Sequence, residues 1–235
     1  MIHAHEKSTF RMGLVGAVPI MLGYFPIAFS FGVGAVRSGL SPTEAVAMSV
    51  IIYAGASQFL ALALISGGAP VLVAAFTLIA MNLRHVIYGP ALMKRAGRGA
   101  RKRWALIWAF GLTDEVFGAA LGALARGRVF SESYMLGLGI GAYAAWVFGT
   151  VLGAYAGGGA LEGWPILDAA LGFMLPSLFL ALLLSILSRA QLPVIGIAAV
   201  TTVLVTLLGS GTVGILAGML AGAVSGLMRR GAHAQ

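Results

Sequence analysis

Cysteine is absent from the 235-residue chain, so disulfides and thiolate chemistry are excluded. Charge is scarce. Only 9% of residues are Asp, Glu, Lys or Arg, against about 25% in soluble domains. There is too little polar material to cover a water-facing surface. Acidic residues are rarer still, 7 against 15 Lys and Arg. That imbalance is no nucleic-acid signal, because the basic residues sit mainly in short flanks of apolar runs, where they set topology and meet anionic headgroups. No spaced set of His, Asp and Glu suggests a metal site, and no cofactor is implied.

What is present is hydrocarbon: 60% of the residues are hydrophobic. The composition predicts an all-α, polytopic, multi-pass protein of the lipid bilayer, with a single membrane domain over 1–235. Eight apolar segments are readable, at roughly 13–36, 43–65, 70–92, 104–124, 133–156, 168–188, 192–208 and 212–228. The polar stretch Met1 to Met12 precedes an apolar run too long for a signal-peptide core, which is therefore expected to be retained. Ser41-Pro42-Thr43-Glu44 reads as a capping box that opens the second segment, with Glu44 serving the helix N-terminus. Asp168 is the expected N-cap of the sixth. Gly157-Gly158-Gly159 closes the fifth, and Gly209-Ser210-Gly211 separates the last two.

Residues 94–103 hold six of the fifteen Lys and Arg residues and are expected to be cytoplasmic. Eight full spans would leave seven basic residues on each side: Arg37 and the loop inside, and Lys7, Arg11, Arg126, Arg128, Arg189, Arg229 and Arg230 outside. If segments one and five instead enter and leave on the same side, twelve fall inside and only Arg126 and Arg128 outside. The second arrangement obeys the positive-inside rule. Pro19, Gly23 and Pro26 would supply the turn in segment one, and Gly137, Gly139, Gly141 and Gly149 that in segment five. Segments 1–3 and 5–7 (units 13–92 and 133–208) then become oppositely oriented, as in inverted-repeat transporters. The hexamers at 57–62 and 177–182 agree at five of six positions.

Charges inside such segments mark function by default, since each costs roughly 2.5–3.5 kcal/mol on insertion scales. Arg84 lies ten residues before Lys94, and Asp114 eleven after Arg103. At 1.5 Å per residue, both sit roughly 15 Å from the same edge, near the middle of a ~30 Å core. Arg84 is therefore placed to meet Asp114 or Glu115, as a structural ion pair or as part of a substrate or proton path. Asn82 and His85 flank Arg84. Tyr53, Ser57 and Gln58 put hydroxyls and an amide among small residues of the second segment, suited to helix contacts or to a polar ligand. Gly214, Gly218, Gly222 and Gly226 form a flat face, expected to receive a tightly packed helix of a partner subunit.

Four ordered motifs resemble the AzlC family. They are Pro26-Ile27-Ala28-Phe29-Ser30-Phe31-Gly32; Met48-Ser49 with Tyr53-Ala54-Gly55-Ala56-Ser57-Gln58-Phe59; Asn82-Leu83-Arg84-His85 with Tyr88; and Leu112-Thr113-Asp114-Glu115-Val116-Phe117. The likeness runs from about Gly13 through Phe117, and more loosely through Trp146 and Phe179 to the C-terminus. It implies the permease subunit of a secondary transporter exporting branched-chain or similar amino acids across the inner membrane, with about seven spans and a small AzlD-type partner subunit. A zwitterionic substrate would need Arg84, or free N–H groups at the Pro19/Gly23/Pro26 turn, for its carboxylate. Asp114, Glu115, Ser57 or Gln58 would serve its ammonium group. Asp114 or Glu115 would carry a proton. The competing readings are an ion channel and, less favoured, an intramembrane enzyme built on Ser57 and His85.

Overall fold

The computed structural model describes residues 9–97, 99–100, 102–156, 163–209 and 211–232. Ten helices and no strand occur among them. They are α1 (Phe10–Arg37), α2 (Pro42–Ile51), α3 (Gly55–Ser66), α4 (Val71–Ala96), α5 (Ala105–Phe110), α6 (Asp114–Ala125), α7 (Glu132–Ala156), α8 (Pro165–Ile186), α9 (Leu192–Leu208) and α10 (Gly211–Ala232). Three of them, α1, α4 and α7, are long and apolar enough to cross a bilayer, and shorter apolar helices accompany them. The chain is an all-helical membrane protein. It divides into two compact units, Met1–Leu62 with Leu78–Gly172, and Ala63–Thr77 with Phe173–Gln235.

The first unit is built on α1 and α7, which pack along their whole length. Glycine makes this possible by removing side chains at the crossing. A Cβ at Gly141 would lie 2.8 Å from the Cβ of Ala17, and one at Gly149 would lie 2.7 Å from the carbonyl of Phe25. Further along, Gly153 packs on Phe29, and near the start Gly13 packs on Tyr134 and Gly137. Contacts advance together in both helices, so α1 and α7 run parallel.

That geometry corrects the expected turns. Segment one is an unbroken 28-residue helix despite Pro19 and Pro26, about 42 Å long at 1.5 Å per residue. Segment five is an unbroken 25-residue helix. The glycines of segment five are packing residues rather than breakers, and Gly23 of segment one lies on an exposed face with no neighbour at its Cβ position. Close packing of Ala17, Phe25, Ala28 and Phe29 on the α7 glycines accompanies α1 past both prolines.

The turning segments are instead the second and fourth. α2 runs inward along α7, from Ser49 opposite Thr150 to Tyr53 opposite Tyr143. The helix stops at Ile52–Ala54. α3 then runs back, with Phe59 against Phe31 and Leu62 against Gly34. From the other end, Trp104 and Trp108 donate to Glu132 at the start of α7. α5 runs inward until Gly111 meets Gly139. The chain breaks at Gly111–Thr113, and α6 returns to pack Ala120 and Ala123 beside Leu92 and Tyr134. Two broken helices thus enter from opposite ends and meet at mid-depth, where Tyr53 packs on Phe110.

α4 runs from Asn82, beside Ser57, to Leu92, beside Ala120 and Tyr134. Its direction is opposite to that of α1. The inverted relationship therefore links α1–α2–α3 with α4–α5–α6. Segments one and five, expected to be opposed, share one direction.

The expected charge distribution changes with it. Arg128 reaches Met12 at the start of α1, and Trp104 reaches Glu132. So Arg11, Lys94, Arg95, Lys102, Arg103, Arg126 and Arg128 all lie at one end of this unit, and Arg37 lies at the other. Arg126 and Arg128 join the basic loop instead of opposing it, because α5–α6 returns to the side it came from.

Local signals acted mostly as read. Ser41 and Glu44 form the reciprocal capping box, with Pro42 opening α2. α8 begins at Pro165, three residues ahead of Asp168, so Asp168 lies inside the helix and does not cap it. The Gly157–Gly159 stretch falls outside the described residues.

In the second unit, α9 and α10 are antiparallel. Gly214 packs on Thr206 and Thr202, Gly218 on Thr202 and Ala198, and Gly222 on Ala198. The glycine face expected to receive a partner subunit is thus covered by α9 of the same chain. Thr202 and Ala198 are small enough to take the close approach that the glycines offer.

Candidate functional site

The two helix breaks gather the polar side chains of the first unit. At the second break Thr113 caps α6, its Oγ1 accepting from the N–H of Val116 at 3.3 Å. Asp114 and Glu115 therefore occupy the first turn of α6, not the middle of a helix. A helix N-terminus carries about half a positive charge, which stabilises carboxylates there.

Each carboxylate has its own neighbours. Asp114 Oδ2 lies 2.9 Å from Arg84 Nη2, and the Tyr88 hydroxyl donates to Asp114 Oδ1. Tyr88 also stacks on Phe117 at 4.5 Å, which ties α4 to α6 through ring and charge together. The ion pair is half-buried, at 42% exposure for Arg84 and 32% for Asp114. Glu115 turns the other way. Its Oε2 accepts from the buried Tyr24 hydroxyl at 2.5 Å, and Thr113 Oγ1 lies 2.5 Å from the same Tyr24 oxygen. With one proton on Tyr24, the consistent arrangement has Thr113 donating to Tyr24 and Tyr24 donating to the carboxylate.

The first break carries Tyr53, Ser57 and Gln58. Gln58 is fully buried and committed to a closed ring of bonds. Trp146 Nε1 donates to Gln58 Oε1, Gln58 Nε2 to Ser49 Oγ, Ser49 to Thr150, and Thr150 back to the Trp146 carbonyl. Gln58 thereby locks α2 and α3 to α7, leaving little of it for a ligand. Ser57 donates to Asn82 Oδ1 at 2.8 Å and joins α3 to α4. His85 Nδ1 sits 3.2 Å from its own helix's Asn82 carbonyl, and its ring contacts Tyr88. Tyr53 stands apart from both sets, packed on Phe110 and Tyr143.

Arg84, Asp114, Asn82, Ser57 and His85 are thus one connected group, Glu115 adjoins it through α6, and Gln58 belongs to the scaffold. α1 offers no free N–H groups at Pro19, Gly23 or Pro26, because it continues as helix through them. Tyr24, Tyr88 and Thr113 complete the site; in the sequence Tyr88 and Thr113 stood out only as motif positions without a role, and Tyr24 not at all. Thr113 had a legible signal, since a Thr followed by two acids and an apolar run is a helix start. Tyr24 had none, because its partner lies 91 residues away.

The family profile described as AzlC protein matches residues 19–159. The inner membrane protein YgaZ of Escherichia coli (strain K12) is 45% identical over 227 residues, covering 96% of this chain and 93% of that protein. An uncharacterized membrane protein of Archaeoglobus fulgidus is 39% identical over 222 residues, covering 94% of this chain and 96% of that one. The branched-chain amino acid transport protein AzlC of Bacillus subtilis (strain 168) is 26% identical over 160 residues, covering 66% of this chain and 62% of that protein. No solved structure matches the chain.

Proposed function

The chain belongs to the AzlC family of membrane transport proteins, and on that premise we propose that it is the permease subunit of a secondary transporter, exporting branched-chain or similar small apolar amino acids across the inner membrane. One observation carries the reading. Two broken helices enter from opposite ends, and their interruptions meet beside a mid-depth charge cluster. Broken helices of this kind place helix termini and side-chain charges where a zwitterion can be held away from lipid. They also give each face of the membrane its own movable element over one site.

Roles follow from the chemistry. Arg84 retains guanidinium N–H groups beyond the one facing Asp114 and serves the substrate carboxylate. Asp114 and Glu115 are the acids available for the ammonium group or a coupling proton. Ser57 and Asn82 tie α3 to α4, and His85 contacts Tyr88, which bonds the Arg84 partner Asp114. A small AzlD-type membrane subunit is the expected partner, meeting a surface other than the glycine face of α10.

The test is efflux of labelled valine and leucine from preloaded cells with and without this chain, expressed together with its companion subunit. Faster, saturable efflux is expected. Unchanged efflux refutes the reading. A non-saturating conductance would make the chain a channel. A hydrolytic activity lost in Ser57→Ala or His85→Ala, with flux untouched, would make it an enzyme.

A further inference from the structure

The first turn of α6 carries two carboxylates that are held in different ways. Asp114 meets the Arg84 guanidinium at 2.9 Å and accepts from the Tyr88 hydroxyl, both on α4. Glu115 meets no cation among the described residues. Its Oε2 accepts from the Tyr24 hydroxyl of α1 at 2.5 Å, and Thr113 Oγ1 lies 2.5 Å from that same hydroxyl. The start of α6 is therefore fastened to α4 through an ion pair, and to α1 through one hydrogen bond to a carboxylate. Tyr24 is 6% exposed and its ring packs on Trp146 at 5.2 Å, which fixes the hydroxyl in place.

The two acids differ in what a proton would do to them. Protonating Asp114 leaves the Arg84 guanidinium without its counter-charge, the damaging way to break an ion pair. Protonating Glu115 strands no cation, and it brings Arg84, Asp114 and Glu115 together to zero charge, which eases movement past hydrocarbon. It also acts on α6. A hydrogen bond to an ionised acceptor is roughly twice as strong as one between neutral groups, and a helix N-terminus attracts a carboxylate more than a neutral carboxyl. One proton on Glu115 thus weakens the tie to α1 and leaves the tie to α4 whole. The other titratable groups around the cluster are Tyr53 at the first break, and Tyr88 and His85 of α4. Tyrosine ordinarily titrates at about pH 10. His85 is the rival, but its Nδ1 lies 3.2 Å from the Asn82 carbonyl, its ring meets Tyr88, and no bond among the described residues joins it to either carboxylate.

We infer that Glu115 carries the coupling proton, and that its protonation frees the start of α6 from α1 while Asp114 keeps it on α4. The inference rests on the exporter reading above and divides the two acids by role. Asp114 orders Arg84 for the substrate carboxylate. Glu115 takes a proton from water on one side of the membrane, an O–H bond forming on its carboxylate while Tyr24 stays neutral, and returns that proton to water on the other side. The re-entrant pair α5–α6 is the element that this step unlatches.

The experiment separates driven transport from exchange. The full chain and its companion subunit are reconstituted in vesicles with the membrane potential clamped at zero. A gradient of one pH unit should concentrate labelled leucine about tenfold, since a tenfold proton ratio is spent on each substrate moved. Glu115→Gln removes the titrating group and keeps an oxygen for Tyr24 to bond. It should not concentrate leucine at all, and should still exchange labelled for unlabelled leucine, which shows that it is folded. Asp114→Asn should lose both modes, because Arg84 is left without its counter-charge.

Accumulation by Glu115→Gln equal to the parent's would overturn the assignment. So would loss of exchange in that variant, or loss of accumulation with exchange kept in Asp114→Asn or His85→Asn, because the proton would then ride on one of those residues. Accumulation driven by a sodium gradient at equal pH would overturn it too. Absence of leucine flux in the parent would remove the amino acid reading alone. Infrared titration of the purified chain then decides the proton site. The carboxyl band that grows on acidification should lose one component in Glu115→Gln, and an unchanged band overturns the site.

Discussion

Arg84 of α4 and Asp114, the first residue of α6, meet at 2.9 Å across the end of a broken helix. The break thus delivers a carboxylate to the face of another helix, where it meets a guanidinium that remains 42% exposed. Arg84→Ala and Asp114→Ala are each expected to abolish transport. A purely structural pair would tolerate replacement of both members by apolar residues of similar size. The double variant Arg84→Leu with Asp114→Leu should insert and remain inactive. Robust efflux from it would remove the pair from the site.

Tyr24 is expected to matter through Glu115. A hydrogen bond to a charged group contributes about 1.5–3 kcal/mol, so Tyr24→Phe should lower transport by about tenfold or more. The amount of protein in the membrane should not change, because Tyr24 keeps its edge contact with Trp146 at 5.2 Å through the ring. Quantified efflux beside an immunoblot separates the two outcomes.

The absence of cysteine makes the arrangement of ends directly measurable. Ala96→Cys and Val129→Cys should react with an impermeant thiol reagent from the same face of the membrane, and Ser38→Cys from the other. Labelling of positions 96 and 129 from opposite faces would mean that α5–α6 crosses the membrane instead of turning back.

Glycine packing gives opposite signs at two sites on the same helix pair. Gly153 has Phe29 backbone where a Cβ would go. Gly153→Ala should cost roughly 1–3 kcal/mol through overpacking. Gly23 has nothing within 4 Å of that position. Gly23→Ala should gain about 0.5–1 kcal/mol from helix propensity alone. Gly218→Leu should disrupt the α9–α10 hairpin of the isolated chain, since Thr202 and Ala198 fill that face. Thermal unfolding of the purified variants reads all three.

Much of the architecture was legible because bilayer chemistry is blunt. Apolar runs gave the helices, α9 to the residue, and the Ser41–Glu44 box gave the start of α2. Depth counting from basic flanks brought Arg84 and Asp114 to the same level. What escaped was where segments turn. Pro19, Gly23 and Pro26 in α1 looked like breakers, yet Ala17, Ala28 and Phe29 beside them pack on α7 and the helix continues. The real interruptions sit at Tyr53, with no local breaker before it, and at Gly111, where the Thr113 cap was the clue. Tertiary contact decides whether a weak point in a helix opens, and one sequence does not display its contacts. The ring joining Gln58 to Ser49, Thr150 and Trp146 was hidden for the same reason, as it spans residues up to 101 apart.

The gathering of seven cationic side chains at one end of the first unit, with Arg37 at the other, also governs how the protein is made. Carrying a unit charge outward against an inside-negative potential costs about 2.3 kcal/mol per 100 mV. Seven such charges bias insertion strongly toward the sense that keeps them inside. Copies in a cell should therefore face one way, and a membrane transport protein needs that uniformity as much as it needs a binding site.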